Sequence, residues 1–190
     1  WLKQYPTKAG GYNLKATIAF VEKKVAQGQK ALEKSLALEP NNVYALTEMV
    51  KLANYQKDPA KAKALTEEAI EVHPQNLKVL TQYFQFHKNE AGLEWLIKAQ
   101  EENKTNSQYG ILLAEALIQL NEYKRASEVL ESYSLNAKTP KRYWQLMLIA
   151  NSKQEDAQEV FSILDKWRKN NPYHIEPVLL LVNYWTAKNL

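Results

Sequence analysis

Cysteine is absent from the 190 residues. Disulfides, Cys-based zinc sites and a thiol nucleophile are therefore excluded. Only five glycines and seven prolines occur, so turns are few and elements long. The longest apolar run, Val178 to Val182, falls far short of the roughly 20 residues a membrane-spanning helix needs, and no membrane insertion is expected. The three histidines, His73, His87 and His174, share no His-x-x-x-His or Glu-x-x-His spacing, so no metal site is expected. His73, before Pro74 at a helix end, and His87, ending a first helix, read as ordinary surface or inter-helix side chains. No Gly-rich phosphate loop and no Gly-x-Ser-x-Gly elbow is present, and Gly10-Gly11 reads as a linker before a helix. Adjacent carboxylates such as Glu67-Glu68 and Glu101-Glu102 point in different directions on a helix. The chain is accordingly read as non-catalytic and without a cofactor. Charge is also sparse in one respect. The net charge is +4, but both signs are interspersed, without the clustered basic face that nucleic acid would require.

What is present favours helix. Ala, Leu, Lys, Glu and Gln dominate, all good helix formers, and 45% of residues are hydrophobic. The prolines are periodic: Pro6, Pro40 and Pro74 lie 34 residues apart, Pro140 follows after 66, and Pro172 after 32 more. Asp58-Pro59-Ala60 reads as an N-cap, a first-turn proline and a helix former. Thr139-Pro140 reads the same way, and Asn41 or Asn42 can cap a helix beginning near Val43. The pattern predicts eleven helices, over 12–25, 28–38, 43–56, 59–72, 76–87, 90–102, 106–120, 122–134, 140–152, 154–170 and 176–188. Tyr83, Phe84 and Phe86 crowd one helix and Trp95 the next. This spacing reads as core, with an aromatic pocket for a peptide or sugar ring as the alternative.

A two-helix unit of about 34 residues ending in proline resembles the tetratricopeptide (TPR) repeat. In that pattern small residues stand 12 and 5 positions before the terminal proline. Here these are Gly28 and Ser35 before Pro40, and Ala62 and Ala69 before Pro74. Small side chains are needed where neighbouring helices approach closely. The match is clearest from Gly28 to Pro74. The unit around 89–106 lacks its proline. The fourth follows the pattern through Ala114, Leu117, Leu120, Ala126 and Leu130. In the fifth, Ala157 lies 15 residues before Pro172, which implies a second helix about a turn longer. The resemblance implies an all-α fold, a right-handed superhelical solenoid of antiparallel helix pairs. Residues 1–190 form a single array of about five pairs plus a terminal helix.

Both ends read as cut. Trp1 to Pro6 repeats the Trp, Lys and Pro spacing of Trp167 to Pro172. The last helix, with Leu179, Leu180, Val182, Tyr184 and Trp185, is too apolar for a capping helix. A longer parent array and weak end-to-end self-association are expected. The run Ala31 to Asn42, the alanine-rich second repeat and the stretch from Tyr143-Trp144 to Lys166-Trp167 and Pro172 also resemble the TPR-repeat lipoproteins of bacterial PEP-CTERM/exosortase systems. That resemblance implies a Gram-negative cell envelope or periplasm, and work linked to exopolysaccharide production or surface-protein sorting. A cytoplasmic location is the alternative.

The resemblance also implies that the first helix of each unit lines a concave surface. Counting from Val43, Leu77, Ser107 and Lys141, the second, fifth, ninth and twelfth to thirteenth positions face inward. They are Tyr44, Thr47, Lys51, Asn54 and Tyr55; Lys78, Thr81, Gln85, Lys88 and Asn89; Gln108, Ile111, Glu115 and Gln119; and Arg142, Gln145 and Lys153. Such a polar, mildly basic surface suits an extended peptide: amides bond its backbone and lysines attract carboxylates. Thr47, Gln82 and Gln108 stand where the chaperone-tail carboxylate clamp needs other residues, which disfavours that ligand. The expected function is a scaffold holding a peptide or protein partner. The alternatives are a spacer within a longer array and a regulatory segment of an enzyme.

Overall fold

The computed structural model describes residues 8–136, 138–153 and 157–187, with the side chains of 184, 185 and 187 excepted. Among these residues the chain forms eleven α-helices and no strand. The expectations placed on Trp1 to Pro6, and on the side chains of Tyr184 and Trp185, lie outside the described residues. The helices fall into two compact units, Trp1–His87 and Lys88–Leu190.

The first unit contains α1 (Ala9–Val21), α2 (Val25–Leu38), α3 (Val43–Tyr55), α4 (Pro59–Val72) and α5 (Leu77–Phe86). Consecutive helices pack against each other, and α3 also packs against α5. Three-residue turns make the pairs α1/α2 and α3/α4 antiparallel. Polar caps set the starts. The Asn42 carboxamide oxygen accepts from Ala45 N (3.0 Å), Asp58 from Lys61 N (3.0 Å), and Asn76 from Lys78 N and Val79 N. Each bond satisfies a donor that a helix start leaves free, a contribution of about 1 kcal/mol. The core is a layer of Ala16, Leu32, Ala45 and Met49 continued by Val50, Ala53 and Ala62. A polar thread runs beside it: Ser35 Oγ donates to Asn13 (2.6 Å), Asn13 to Asn42 (3.0 Å), and Asn42 to Glu39 (2.8 Å). Through it the buried Ser35 hydroxyl is satisfied while tying together α1, α2 and the start of α3.

The second unit contains α6 (Glu90–Glu102), α7 (Ser107–Gln119), α8 (Tyr123–Glu131), α9 (Lys141–Ser152), α10 (Ala157–Asn170) and α11 (Glu176–Ala187). Asn89 and Asn106 cap α6 and α7. Its core includes Leu117, Leu130, Leu146 and Ile163, together with the parallel-stacked rings of Trp144 and Trp167, 6.2 Å apart. On α11, Leu179, Leu180 and Val182 are exposed.

Three of the first-to-second-helix turns, those after α1, α3 and α7, share one device. Lys23, Lys57 and Asn121 have φ of 60°, 60° and 63°. Around each, the amide three positions beyond the helix end bonds back across the turn: Lys24 N to Ala19 O (2.7 Å), Asp58 N to Ala53 O (2.9 Å) and Glu122 N to Leu117 O (2.9 Å). Bonds of smaller sequence span, from Lys23, Lys57 and Asn121 N to Phe20, Asn54 and Ile118 O (3.0 Å each), lie inside them. These are Schellman closures, a role usually filled by glycine because only glycine adopts positive φ freely.

Several expectations are corrected. Gly10-Gly11 is not a linker. Helix α1 begins at Ala9, where buried Ala9 and Gly11 pack inward, so tertiary burial outweighs glycine's poor propensity. Thr139 does not cap α9. Pro140 occupies the cap position, and the Thr139 hydroxyl instead accepts from Asn136 N. Ala157 is exposed. The positions 12 and 5 before Pro172 are Val160 and Trp167, both buried. The register therefore holds, with large side chains where small ones were anticipated. The start expected for this helix, 154–156, lies outside the described residues.

The buried second-helix pairs recur as Gly28/Ser35, Ala62/Ala69, Gly92/Ala99 and Val160/Trp167, with Ala126 and half-buried Tyr133 between the last two. From Ala62 to Gly92 is 30 residues, whereas the other steps are 34. The missing four residues fall at the end of α5, which is only ten residues long and lacks the positive-φ closure of the turns after α1, α3 and α7.

Candidate functional site

In the first unit the exposed first-helix faces carry the anticipated polar residues in part. On α5, Lys78, Thr81 and Gln85 are exposed at spacings of three and four, one helical stripe. On α3, Lys51, Asn54 and Tyr55 are exposed and Tyr44 is half-buried. The two stripes are held together by Gln82, whose side-chain amide donates to the Thr47 carbonyl (3.0 Å). Thr47 itself is 2% exposed and its hydroxyl donates to the Tyr44 carbonyl. It is a strut of this surface and not a contact residue, because the α3–α5 packing covers it. The Thr81 hydroxyl is spent on the Leu77 carbonyl (2.7 Å). Lys88 is not on α5, which ends at Phe86, and Asn89 caps α6 with its side chain on Gly92 N.

The charges differ in availability. Lys51 Nζ lies 2.5 Å from Glu48, whereas Lys78 is exposed and has no acid partner among the described residues.

Helix α1 belongs to the same surface. The Thr17 and Tyr44 hydroxyls lie 2.6 Å apart. Counting from Val43 left α1 out, yet one period earlier is Ala9, the observed start of α1, and the same inward positions give Asn13, Thr17, Phe20 and Val21. That signal was available in the repeat. Beside the end of α1 a cavity of about 580 Å³ opens, with apolar surface from Phe20, Val25 and Leu52 and with Lys23, Lys51 and Tyr55 around it. Phe20 and Val25 were not anticipated as site residues.

The second unit presents a more self-satisfied face. Gln108 and Gln119 on α7 are exposed, Ile111 and Glu115 half-buried. Arg142 on α9 is paired with Glu115. Gln145 is half-buried, and Lys153 stands at the end of α9. Glu115 and Arg142, singled out separately from the sequence, are thus brought together and spend their charge on each other.

The aromatic cluster is mostly structural. Phe84 is buried, Phe86 packs on Val50, Ala53 and Ala62, and Tyr83 stacks on His87 at 4.3 Å. His87 Nε2 lies 3.3 Å from Glu67, and His73 Nε2 is 2.6 Å from the Asn41 carbonyl. Among the described residues no group of three or more His, Asp or Glu is placed to hold a metal ion, and no helix is long and apolar enough to cross a membrane.

Residues 84–150 match the tetratricopeptide repeat family model. The fold is that of a tetratricopeptide repeat protein. The TPR protein YrrB, described as having an unusual peptide-binding site, superposes with a TM-score of 0.60 at 15% identity, over 100% of this chain and 96% of that one. PilW, a type IV pilus biogenesis factor, gives 0.66 at 16% over 95% and 86%. Yeast Tom70 gives 0.67 at 19% over 98% of this chain and 41% of its own. No curated protein sequence matches the chain. The TPR family match covers the unit whose proline is missing, and not the Gly28–Pro74 stretch that reads most clearly by eye.

Proposed function

We propose that this chain is a non-catalytic interaction scaffold that holds a peptide or protein partner on the exposed faces of its first helices. The observation that carries the reading is the pair of polar stripes on α3 and α5, locked side by side by the Gln82–Thr47 bond. Lys78, Thr81 and Gln85 offer a cation and an amide to solvent there, at a spacing that an extended chain can follow. YrrB's described peptide-binding site supports this use of the fold.

We place the scaffold in a bacterial envelope complex linked to exopolysaccharide production or surface-protein sorting. The support is the resemblance to the PEP-CTERM/exosortase TPR lipoproteins, and PilW's description as a pilus biogenesis factor. Weak self-association through the apolar residues exposed on α11 is part of the proposal. The Glu115–Arg142 pair favours a second reading for the second unit alone, as a spacer whose face is occupied by its own charges.

The test is capture from an envelope extract of the source organism. Lys51→Glu with Lys78→Glu abolishes retention of the partner if the reading holds, while Lys61→Glu with Lys98→Glu, on second helices, leaves it intact. Equal retention by both variants contradicts it.

A further inference from the structure

The cavity beside the end of α1 narrows the choice of partner, on the premise that the first-helix faces bind one. Its apolar surface comes from Leu52, buried in α3, and from half-buried Phe20 and Val25. Its charged groups carry a basic surplus. Lys23 and Lys51 supply two cations against the single carboxylate of Glu48, which Lys51 already engages at 2.5 Å. Lys23 is exposed and has no acid partner among the described residues. The Schellman closure fixes its backbone, so the lysine stem starts from a set place at the cavity's edge. Tyr55, 73% exposed, adds an aromatic ring with little of its own area buried.

We propose that this cavity takes one large apolar side chain from an extended acidic peptide, with a neighbouring carboxylate of that peptide paired to Lys23. Charge complementarity selects the acidic partner: an uncompensated lysine next to apolar surface favours a group carrying both bulk and negative charge. The volume of about 580 Å³ is ample for an aromatic or branched side chain and lies in the range of true binding pockets. The site lacks the convergent buried hydrogen-bonding groups that orient a small molecule. Recognition therefore falls on hydrophobic bulk plus charge, and many sequences of that character are accommodated. Lys51, Asn54 and Tyr55 lie on one face of α3, so a peptide following the polar stripe leads into the cavity.

Fluorescence anisotropy with labelled octapeptides tests this. One carries a central phenylalanine flanked by aspartates, a second has alanine in its place, and a third has lysines in place of the aspartates. The acidic phenylalanine peptide binds. The alanine peptide binds about tenfold or more weaker, the loss expected from an unburied aromatic side chain. The lysine peptide does not bind. Lys23→Glu and Tyr55→Ala each weaken the first peptide several-fold; both sites are exposed, and circular dichroism confirms that the variants are folded. Equal affinity for the phenylalanine and alanine peptides overturns the proposal, as does indifference to both substitutions. So does binding to phosphatidylserine vesicles that the acidic peptide cannot compete away, which would make the basic edge a membrane contact. If the peptides fail while capture still depends on Lys51 and Lys78, the cavity assignment falls and the scaffold reading stands. If capture is indifferent to those lysines, the scaffold reading falls whatever the peptides do.

Discussion

Replacing Gly110 by alanine destabilises the second unit, and it stops doing so once Tyr133 is gone. Gly110 lies in α7, and a methyl group built on it would come within 2.1 Å of the Tyr133 ring. That ring can yield only by giving up the bond its hydroxyl accepts from Gln100 Nε2 at 3.0 Å. Overpacking costs about 1–3 kcal/mol. Loss of the Gln100 bond as the ring shifts adds about 0.5–1.5 kcal/mol. Alanine's better helix propensity returns about 1 kcal/mol. The net expectation is a loss of about 0.5–3.5 kcal/mol. In a Tyr133→Ala background the clash and the bond are both absent, so only the propensity remains and Gly110→Ala becomes stabilising by about 1 kcal/mol. Urea denaturation of the four proteins, followed by far-ultraviolet circular dichroism, reads the cycle directly. The same stabilisation in both backgrounds would refute the reasoning. It would mean that the ring does not rest on the glycine.

The remaining predictions concern the turns and the alkaline limb. Lys57→Gly relieves a positive φ that costs a lysine about 1–2 kcal/mol and pays part of it back as unfolded-chain entropy. It should raise the melting temperature by a few degrees, and a fall would argue against the closure. Burial first, and then the Glu131 carboxylate, push the Tyr143 hydroxyl up to about 12, above the usual value of about 10. A group whose folded-state pKa is raised contributes stability that is full below the unfolded value and lost as pH rises through the folded one. The second unit therefore loses stability between about pH 10 and about 12, and Tyr143→Phe removes that loss. An unchanged alkaline limb in a denaturant series would contradict it.

The legible features were those with a local chemical cause. Asp58-Pro59 and Asn42 announce their helices because a short polar side chain can bond an exposed amide. Gly28, Ala62 and Ala69 announce the close helix contacts by their size. Tertiary effects were not legible. Lys23 and Lys57 close their turns in a conformation that their identity does not advertise, whereas Asn121 belongs to a residue type known to tolerate it. The fifth pair hid its register because Val160 and Trp167 stand where small residues were sought, with Trp144 stacked on Trp167. Of the candidate surface, the α5 stripe of Lys78, Thr81 and Gln85 was readable from period alone. Thr47 was misplaced because packing between α3 and α5 covers it, and Lys88 because the third repeat is four residues short. The cavity escaped notice for a different reason: it depends on how the end of α1 meets α3, which no single helix encodes.

Site-specific photo-crosslinking tests the central claim most directly. A photoreactive residue at Gln85 or Asn54, on the first-helix stripes, should give a discrete crosslinked partner in the envelope extract. The same probe at Lys30 or Lys98, on second helices, should give none. Crosslinks from the second-helix positions, with none from Gln85 or Asn54, would show that the partner is held on the opposite surface.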